Sequence, residues 1–64
     1  MVKLYLVKVE CDGMNNSFLL VGESKECIEE KVQDMYRYDY IEYLDIKEVD
    51  DVNGYKIKLE KINN

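Results

Sequence analysis

The chain has 64 residues, of which nine are basic and fourteen acidic, giving a net charge of -5 at neutral pH. A chain of this length predicts one small domain, residues 1–64, with one thin core and too little protein to enclose a deep cleft. The negative charge argues against direct binding to nucleic acid, which needs a basic patch for the phosphates, and against binding to an anionic membrane surface.

No apolar run approaches the ~20 residues of a membrane span. Met1 is followed directly by strand-like sequence without the pattern of a signal peptide, so we expect a cytoplasmic protein.

The first predicted elements are two strands. Residues 2–11 alternate, and because both faces of this segment are partly apolar, it is predicted to be a central strand. Leu4 and Leu6 lie on one face, and Tyr5, Val7, Val9 and Cys11 lie on the other. Residues 12–16 are turn-forming, and residues 17–21 are expected to complete a hairpin.

A helix is predicted next, from residue 25 to about residue 37. Ser24 is a suitable N-cap, and Glu26 lies in the first turn, where the helix dipole favours a carboxylate. The apolar residues Ile28, Val32, Met35 and Tyr36 then follow the helical period and form one stripe.

Residues 40–49 predict a third strand, with Ile41, Tyr43 and Val49 on one face and Leu44 and Ile46 on the other. Residues 55–62 alternate as a fourth strand, and Asn53-Gly54 before it is a strong hairpin signal.

A charge argument predicts the register of this second hairpin. A three-residue loop, residues 52–54, would set Glu48 opposite Lys58 and Asp50 opposite Lys56. Cross-strand pairs of opposite charge contribute about 0.2–1 kcal/mol each.

The predicted fold is therefore α+β, with the order ββαββ and a four-stranded, mainly antiparallel sheet that carries one helix on one face. The other face would remain uncovered, and an exposed apolar patch of this kind is typical of a partner or dimer site. Its expected members are Leu4, Leu6, Leu44, Ile46 and Ile62. The alternative is that they form only the modest apolar surface of any small domain.

The sequence offers little catalytic chemistry. It has no histidine, so no Ser-His or Cys-His couple exists. Its three glycines are isolated, and no phosphate-binding loop is present. Cys11 and Cys27 are interpreted as reduced small hydrophobes, because two cysteines without histidine do not complete a structural zinc site. We therefore predict no catalytic residue, no cofactor and no metal.

Acidic residues are concentrated in the middle of the chain. Residues 23–51 hold eleven acidic and four basic residues. Glu26, Glu30 and Asp34 follow one another four residues apart along the helix, and Asp39, Glu42 and Asp45 continue the row. One interpretation is a solvated face that maintains solubility. The other is a row of carboxylates that faces a basic partner surface.

Four of the six tyrosines lie within residues 36–43. Tyrosine is enriched at protein interfaces because it adds a large contact area with little side-chain entropy. Tyr36 lies on the helix stripe and Tyr43 shares a face with Ile41, so both are expected in the core. Tyr38 and Tyr40 are the interface candidates.

The favoured hypothesis is a small acidic, non-enzymatic module that binds the basic surface of a nucleic-acid-binding protein. The candidate residues are Glu26, Glu30, Asp34, Tyr38, Asp39, Tyr40 and Glu42. The chain also lacks Ala, Pro, Thr, Trp and His, a bias typical of AT-rich genes, and this suggests a phage- or plasmid-encoded inhibitor of host machinery. The alternative hypothesis is an assembly module that homodimerises through the uncovered sheet face.

Overall fold

The elements of the domain follow one another as two long strands, a helix, a third long strand and a short ribbon. A computed structural model describes residues 1–62 and gives β1 (Lys3–Cys11), β2 (Met14–Gly22), α1 (Lys25–Met35), β3 (Ile41–Glu48), β4 (Asp51–Val52) and β5 (Tyr55–Lys56). The fold is α+β, as predicted. Across the described residues, no helix is both long and apolar enough to cross a membrane.

The main sheet has three strands in the order β2-β1-β3, and both pairings are antiparallel. The long strand β1 is central, as its two apolar faces predicted. Strands β4 and β5 form a separate two-stranded ribbon. The predicted four-stranded sheet is therefore not confirmed.

The first hairpin closes more tightly than predicted. Asp12 and Gly13 alone form the turn, with φ of 52° and 76°, and Cys11 pairs directly with Met14. Positive φ at both central residues is typical of the type I′ turn, whose twist matches that of the flanking strands. Strand β2 therefore begins at Met14, within the segment that was expected to be a longer loop.

The second hairpin uses the same turn, and the predicted three-residue loop is wrong. Asn53 and Gly54 have φ of 53° and 83°, and Val52 pairs with Tyr55. The type I′ preference of Asn-Gly thus outweighs the cross-strand charge pairs that a longer loop would form.

The predicted fourth strand is also shortened. The Ile57 N–H donates to the Asp50 carbonyl at 3.0 Å, but β5 itself ends at Lys56. Glu48, expected opposite Lys58, lies 3.6 Å from the Lys3 ammonium instead.

Helix α1 begins where the sequence predicts. The Ser24 hydroxyl accepts a hydrogen bond from the Cys27 N–H at 3.2 Å, in the geometry of an N-cap. The helix ends at Met35, two residues earlier than expected. The Tyr36 N–H still donates to the Val32 carbonyl, and the Asp39 N–H donates to the Tyr36 carbonyl, so the chain leaves the helix through one tight turn.

The core lies between α1 and one face of the sheet. Ile28 and Val32 of the helix and Val7 of β1 are completely buried, and Tyr5 and Ile46 complete the cluster. Five half-buried side chains surround it: Phe18, Leu20, Tyr36, Ile41 and Leu44.

A β-bulge in β3 decides which of its residues face the helix. Glu10 pairs with Tyr43, but its neighbour Cys11 pairs with Ile41, which leaves Glu42 as the extra residue. A bulge of this kind reverses the alternation of the strand. Ile41 therefore lies on the helix side with Cys11, whereas Tyr43 lies on the opposite side and is 56% exposed. The expectation that Tyr43 is a core residue is wrong.

The expected membership of the uncovered face also needs correction. Val7 pairs with Ile46 and Val9 pairs with Leu44, so both β3 residues lie on the helix side, opposite to Leu4 and Leu6. Ile46 is buried in the core. Ile62 lies beyond β5, outside the sheet, and is 78% exposed. Strand β3 has apolar residues on both faces, so its sequence does not show which face is buried. Its pairing with β1 decides this.

Replacing the helix cap should weaken the fold measurably. We expect Ser24→Ala to lower the free energy of unfolding by about 1 kcal/mol, because the Cys27 N–H loses its acceptor. Urea denaturation followed by circular dichroism measures the change. Ser17→Ala, at an exposed position of β2, is the matched control and should shift stability by less than about 0.5 kcal/mol. Equal losses in both variants would contradict the cap.

Candidate functional site

Carboxylates and tyrosines converge at the end of the domain where the first hairpin turns. Because Cys11 pairs with both Met14 and Ile41, the turn at Asp12 lies beside the start of β3. The connection from α1 arrives at the same place. We call this surface the acidic end and define it by Asp12, Asp34, Tyr38, Asp39, Tyr40 and Glu42.

The centre of the acidic end is the buried thiol of Cys11. Its Sγ and one carboxylate oxygen each from Asp12 and Asp39 all lie within 4.8 Å of one another. The thiol donates to Asp12 Oδ2 at 3.8 Å. Burial raises the pKa of the Cys11 thiol, and the negative charges of Asp12, Asp39 and Glu42 raise it further. Burial is therefore the main cause of the raised pKa, and the three carboxylates make the local potential negative.

The bulge and the helix add to this potential. Glu42 is the bulged residue of β3, which places its carboxylate near the Cys11 thiol rather than in regular alternation. Helix α1 also ends here, and the last turn of Lys25–Met35 contains no basic residue. The partial negative charge of the helix C-terminus therefore remains uncompensated within the helix.

Arg37 is the basic residue of the connection between α1 and β3. Its Nη1 lies 3.8 Å from Asp34 Oδ1, and its guanidinium lies over the Tyr38 ring, 5.2 Å from the ring centre. Both members of the ion pair are largely exposed, and such pairs contribute about 0–1 kcal/mol. Arg37 therefore neutralises part of the negative charge of Asp34. It does not pair with the other carboxylates of the acidic end.

The tyrosines of the helix–strand connection divide into two kinds. Tyr36 is half-buried and packs against the core. Tyr38 and Tyr40 are 89% and 76% exposed. Two large aromatic side chains thus project from the acidic end without contributing to the core.

The remaining predicted residues lie along the helix. Glu26 and Glu30 are exposed on α1, with Asp34 one turn further toward the acidic end. At a rise of 1.5 Å per residue, this row is about 12 Å long. The row ends at Asp34, in the last turn of α1, and the connection that follows carries Asp39.

The chemistry of the Cys11 cluster does not favour a metal. A structural zinc site takes four Cys or His ligands, whereas this cluster offers one thiol and two exposed carboxylates. A thiol must also lose its proton to bind a metal, and the raised pKa of Cys11 opposes that step. We assign no metal to it.

Sequence reasoning did not include Asp12 among the candidates. It lies 27 residues before Asp39 in the chain, and it was interpreted only as a turn residue. Its positive φ marks the turn, but only the pairing of β1 with β3 brings it beside Asp39.

Comparison with protein-family models, with curated proteins and with solved structures gives no match for this chain.

The two kinds of tyrosine should respond differently to truncation. We expect Tyr36→Ala to lower the free energy of unfolding by about 1–3 kcal/mol, because it removes half-buried contacts with the core. Tyr38→Ala and Tyr40→Ala should each change it by less than about 0.5 kcal/mol. Urea denaturation at constant pH measures all three. Unfolding of either exposed-tyrosine variant would show that these side chains are structural.

Removing a neighbouring charge should lower the pKa of the Cys11 thiol. In a Cys27→Ser background, we expect Asp39→Asn to shift the titration midpoint of the thiolate ultraviolet absorbance to lower pH. Asp51→Asn, in the ribbon, is the matched control and should leave the midpoint unchanged. An unchanged midpoint in Asp39→Asn would contradict the proposed potential.

The same thiol should make stability depend on alkaline pH. Because its pKa is raised in the folded state above the ordinary thiol value of 9.0, the unfolded chain releases this proton first as pH rises through 9.0. The contribution of Cys11 to stability is therefore complete below that pH and is lost as pH rises through the folded pKa.

Proposed function

We propose that this chain is a small, non-enzymatic module that binds another protein through the acidic end and the carboxylate row of α1. The observation that supports it most directly is the convergence of Asp12, Asp39 and Glu42 around one buried thiol, next to two highly exposed tyrosines. These carboxylates are exposed, and their position concentrates like charges at one end of the domain. Repulsion among them is relieved when a cationic partner binds.

The chemistry of the surface indicates the class of partner. Carboxylates spaced along about 12 Å of helix, followed by more at the helix end, complement a row of Lys and Arg side chains. Such rows are found on proteins that bind the phosphates of nucleic acid. We propose that the chain competes with DNA or RNA for a surface of this kind, and that it does not bind nucleic acid itself.

The tyrosines supply apolar and hydrogen-bonding contacts, which the carboxylate charges alone do not provide. Long-range attraction between exposed charges mainly raises the association rate and is screened by salt. Tyr38 and Tyr40 add apolar area and a hydrogen-bonding hydroxyl, which are properties of binding hot spots. We propose these two residues as anchors, surrounded by Asp39 and Glu42.

Composition extends the proposal to a biological setting. The absence of Ala, Pro, Thr, Trp and His is typical of AT-rich genes. We propose a cytoplasmic, phage- or plasmid-encoded inhibitor that acts on host nucleic-acid machinery.

The direct test is capture of a partner with matched variants. The immobilised protein is incubated with a nuclease-treated lysate of a low-GC bacterium, and bound proteins are eluted with salt. We expect a nucleic-acid-binding protein that is retained by the wild type and lost with the double variant Tyr38→Ala/Tyr40→Ala. Its elution should require only moderate salt, because the contacts are largely electrostatic.

Two control variants locate the contact. Tyr55 is 78% exposed on the ribbon, so Tyr55→Ala removes a comparable tyrosine away from the acidic end and should retain the partner. Asp51→Asn removes a carboxylate from the same ribbon and should also have no effect. Retention that is equal for all variants, or no salt-sensitive partner at all, would overturn the proposal.

A further inference from the structure

The face of the main sheet that α1 does not cover has two distinct halves. We call it the open face. Strand alternation and the β-bulge determine which residues lie on the open face. They are Leu4, Leu6, Lys8 and Glu10 of β1, Asn15, Ser17, Leu19 and Val21 of β2, and Tyr43, Asp45 and Lys47 of β3. The N-terminal half of β1 contributes apolar residues to it, and the C-terminal half contributes charged ones.

The apolar half consists of two cross-strand pairs. Leu4 lies opposite Val21, and Leu6 lies opposite Leu19. Leu19 is 57% exposed and Val21 39% exposed, while the two leucines of β1 are half-buried. Directly opposed apolar side chains on a sheet form one continuous patch.

A groove of about 340 Å³ extends this patch beyond the end of the sheet. Its apolar lining residues are Met1, Val2, Leu4, Val49, Ile57 and Leu59, and its charged ones are Lys3, Glu48, Asp50 and Lys58. Leu4 therefore connects the apolar half of the open face to a groove of mixed character.

The charges of the open face are balanced. Lys8 lies opposite Asp45, Glu10 lies opposite Tyr43, and Lys47 lies opposite Leu6, at the edge of the apolar half. The open face therefore sums to zero, in a chain whose net charge is -5. A second copy can approach this face without the repulsion that the acidic end would impose, and its charges can meet opposite charges of the partner.

The chain as a whole exposes more surface than a compact monomer of its mass. It exposes 5493 Å², whereas a monomeric protein of this mass exposes about 4,300 Å². The excess exceeds the roughly 800 Å² that each partner buries in an interface of standard size, and it is shared between the open face and the ribbon, where Tyr55 is 78% exposed. The radius of gyration, 13.1 Å, likewise exceeds the roughly 11 Å expected for a compact chain of this length.

We infer that the open face binds a second copy of this chain, with the Leu4–Val21 and Leu6–Leu19 pairs at the centre of the contact. A two-fold axis through the apolar half brings the same patch of both copies together, as an isologous interface requires. Two sheets packed face to face would then enclose a second apolar layer, in addition to the seven apolar side chains that are buried among residues 1–62. This interface is independent of the proposed function, since the acidic end lies outside it.

Analytical ultracentrifugation from low micromolar to about 0.5 mM tests the inference. We expect the wild type to reach twice its monomer mass of 7.6 kDa. Leu19→Lys should weaken the dimer by more than roughly tenfold, because the new charge is buried in an apolar contact beside its symmetry mate. Met14→Lys is the matched control: it adds the same charge to β2 at a position 66% exposed, but on the helix side. This variant should dimerise like the wild type.

Circular dichroism establishes that each variant is folded before it is compared. If Leu19→Lys does not fold, Leu19→Ser replaces it, and the same loss of dimer is expected from the milder change. A wild type that remains monomeric over the whole range overturns the inference, as does a dimer that persists in the folded Leu19 variant. A monomer that binds only a different protein through this face would overturn it equally.

Discussion

The packing of Ile28 and Val32 against Val7 of the central strand is the contact on which the rest of this structure depends. Strand β1 carries Tyr5, Val7, Val9 and Cys11 on one face and mixes Leu4 and Leu6 with the charged Lys8 and Glu10 on the other, so its own sequence favours the first face as the interior. One helix of eleven residues can cover only one of them. Once the two helix side chains pack against Val7 and Tyr5, every other strand residue is assigned to the core or to the open face by its pairing with β1.

The acidic end is a consequence of the same arrangement. The helix must return to the sheet at the end where it finishes, and this brings the helix–strand connection next to the first hairpin turn. Asp12 and Asp39 meet there because of the topology, although neither belongs to the core. The bulge at Glu42 adds a third carboxylate, and the pKa of the Cys11 thiol is raised first by burial and then by the charges of all three. Bulges commonly re-aim side chains in this way near functional surfaces.

Charge and apolar area are separated on the surface of this domain. The excess of negative charge lies on the outer face of α1 and at the acidic end, whereas the open face combines balanced charges with an apolar patch. These two surfaces suit different partners, because like charges oppose self-association and apolar area favours it. A dimer formed through the open face would leave both acidic ends free, and it would present two copies of the proposed binding surface to a partner.

The amino-acid sequence by itself determined the α+β class, the central position of β1, the helix start at Ser24 and the stripe of Ile28 and Val32. These features depend on local signals: a capping residue, a change of period from two to 3.6, and a strand with two apolar faces. Tertiary structure decided the features that local signals leave open, which are the buried face of β3 and the residues that meet at the acidic end. Alternation in β3 allowed either face to be buried, and only the pairing with β1, with its bulge, placed Ile46 in the core and Tyr43 outside it. Asp12 joined the acidic end for the same reason, since strand pairing acts between residues far apart in the chain.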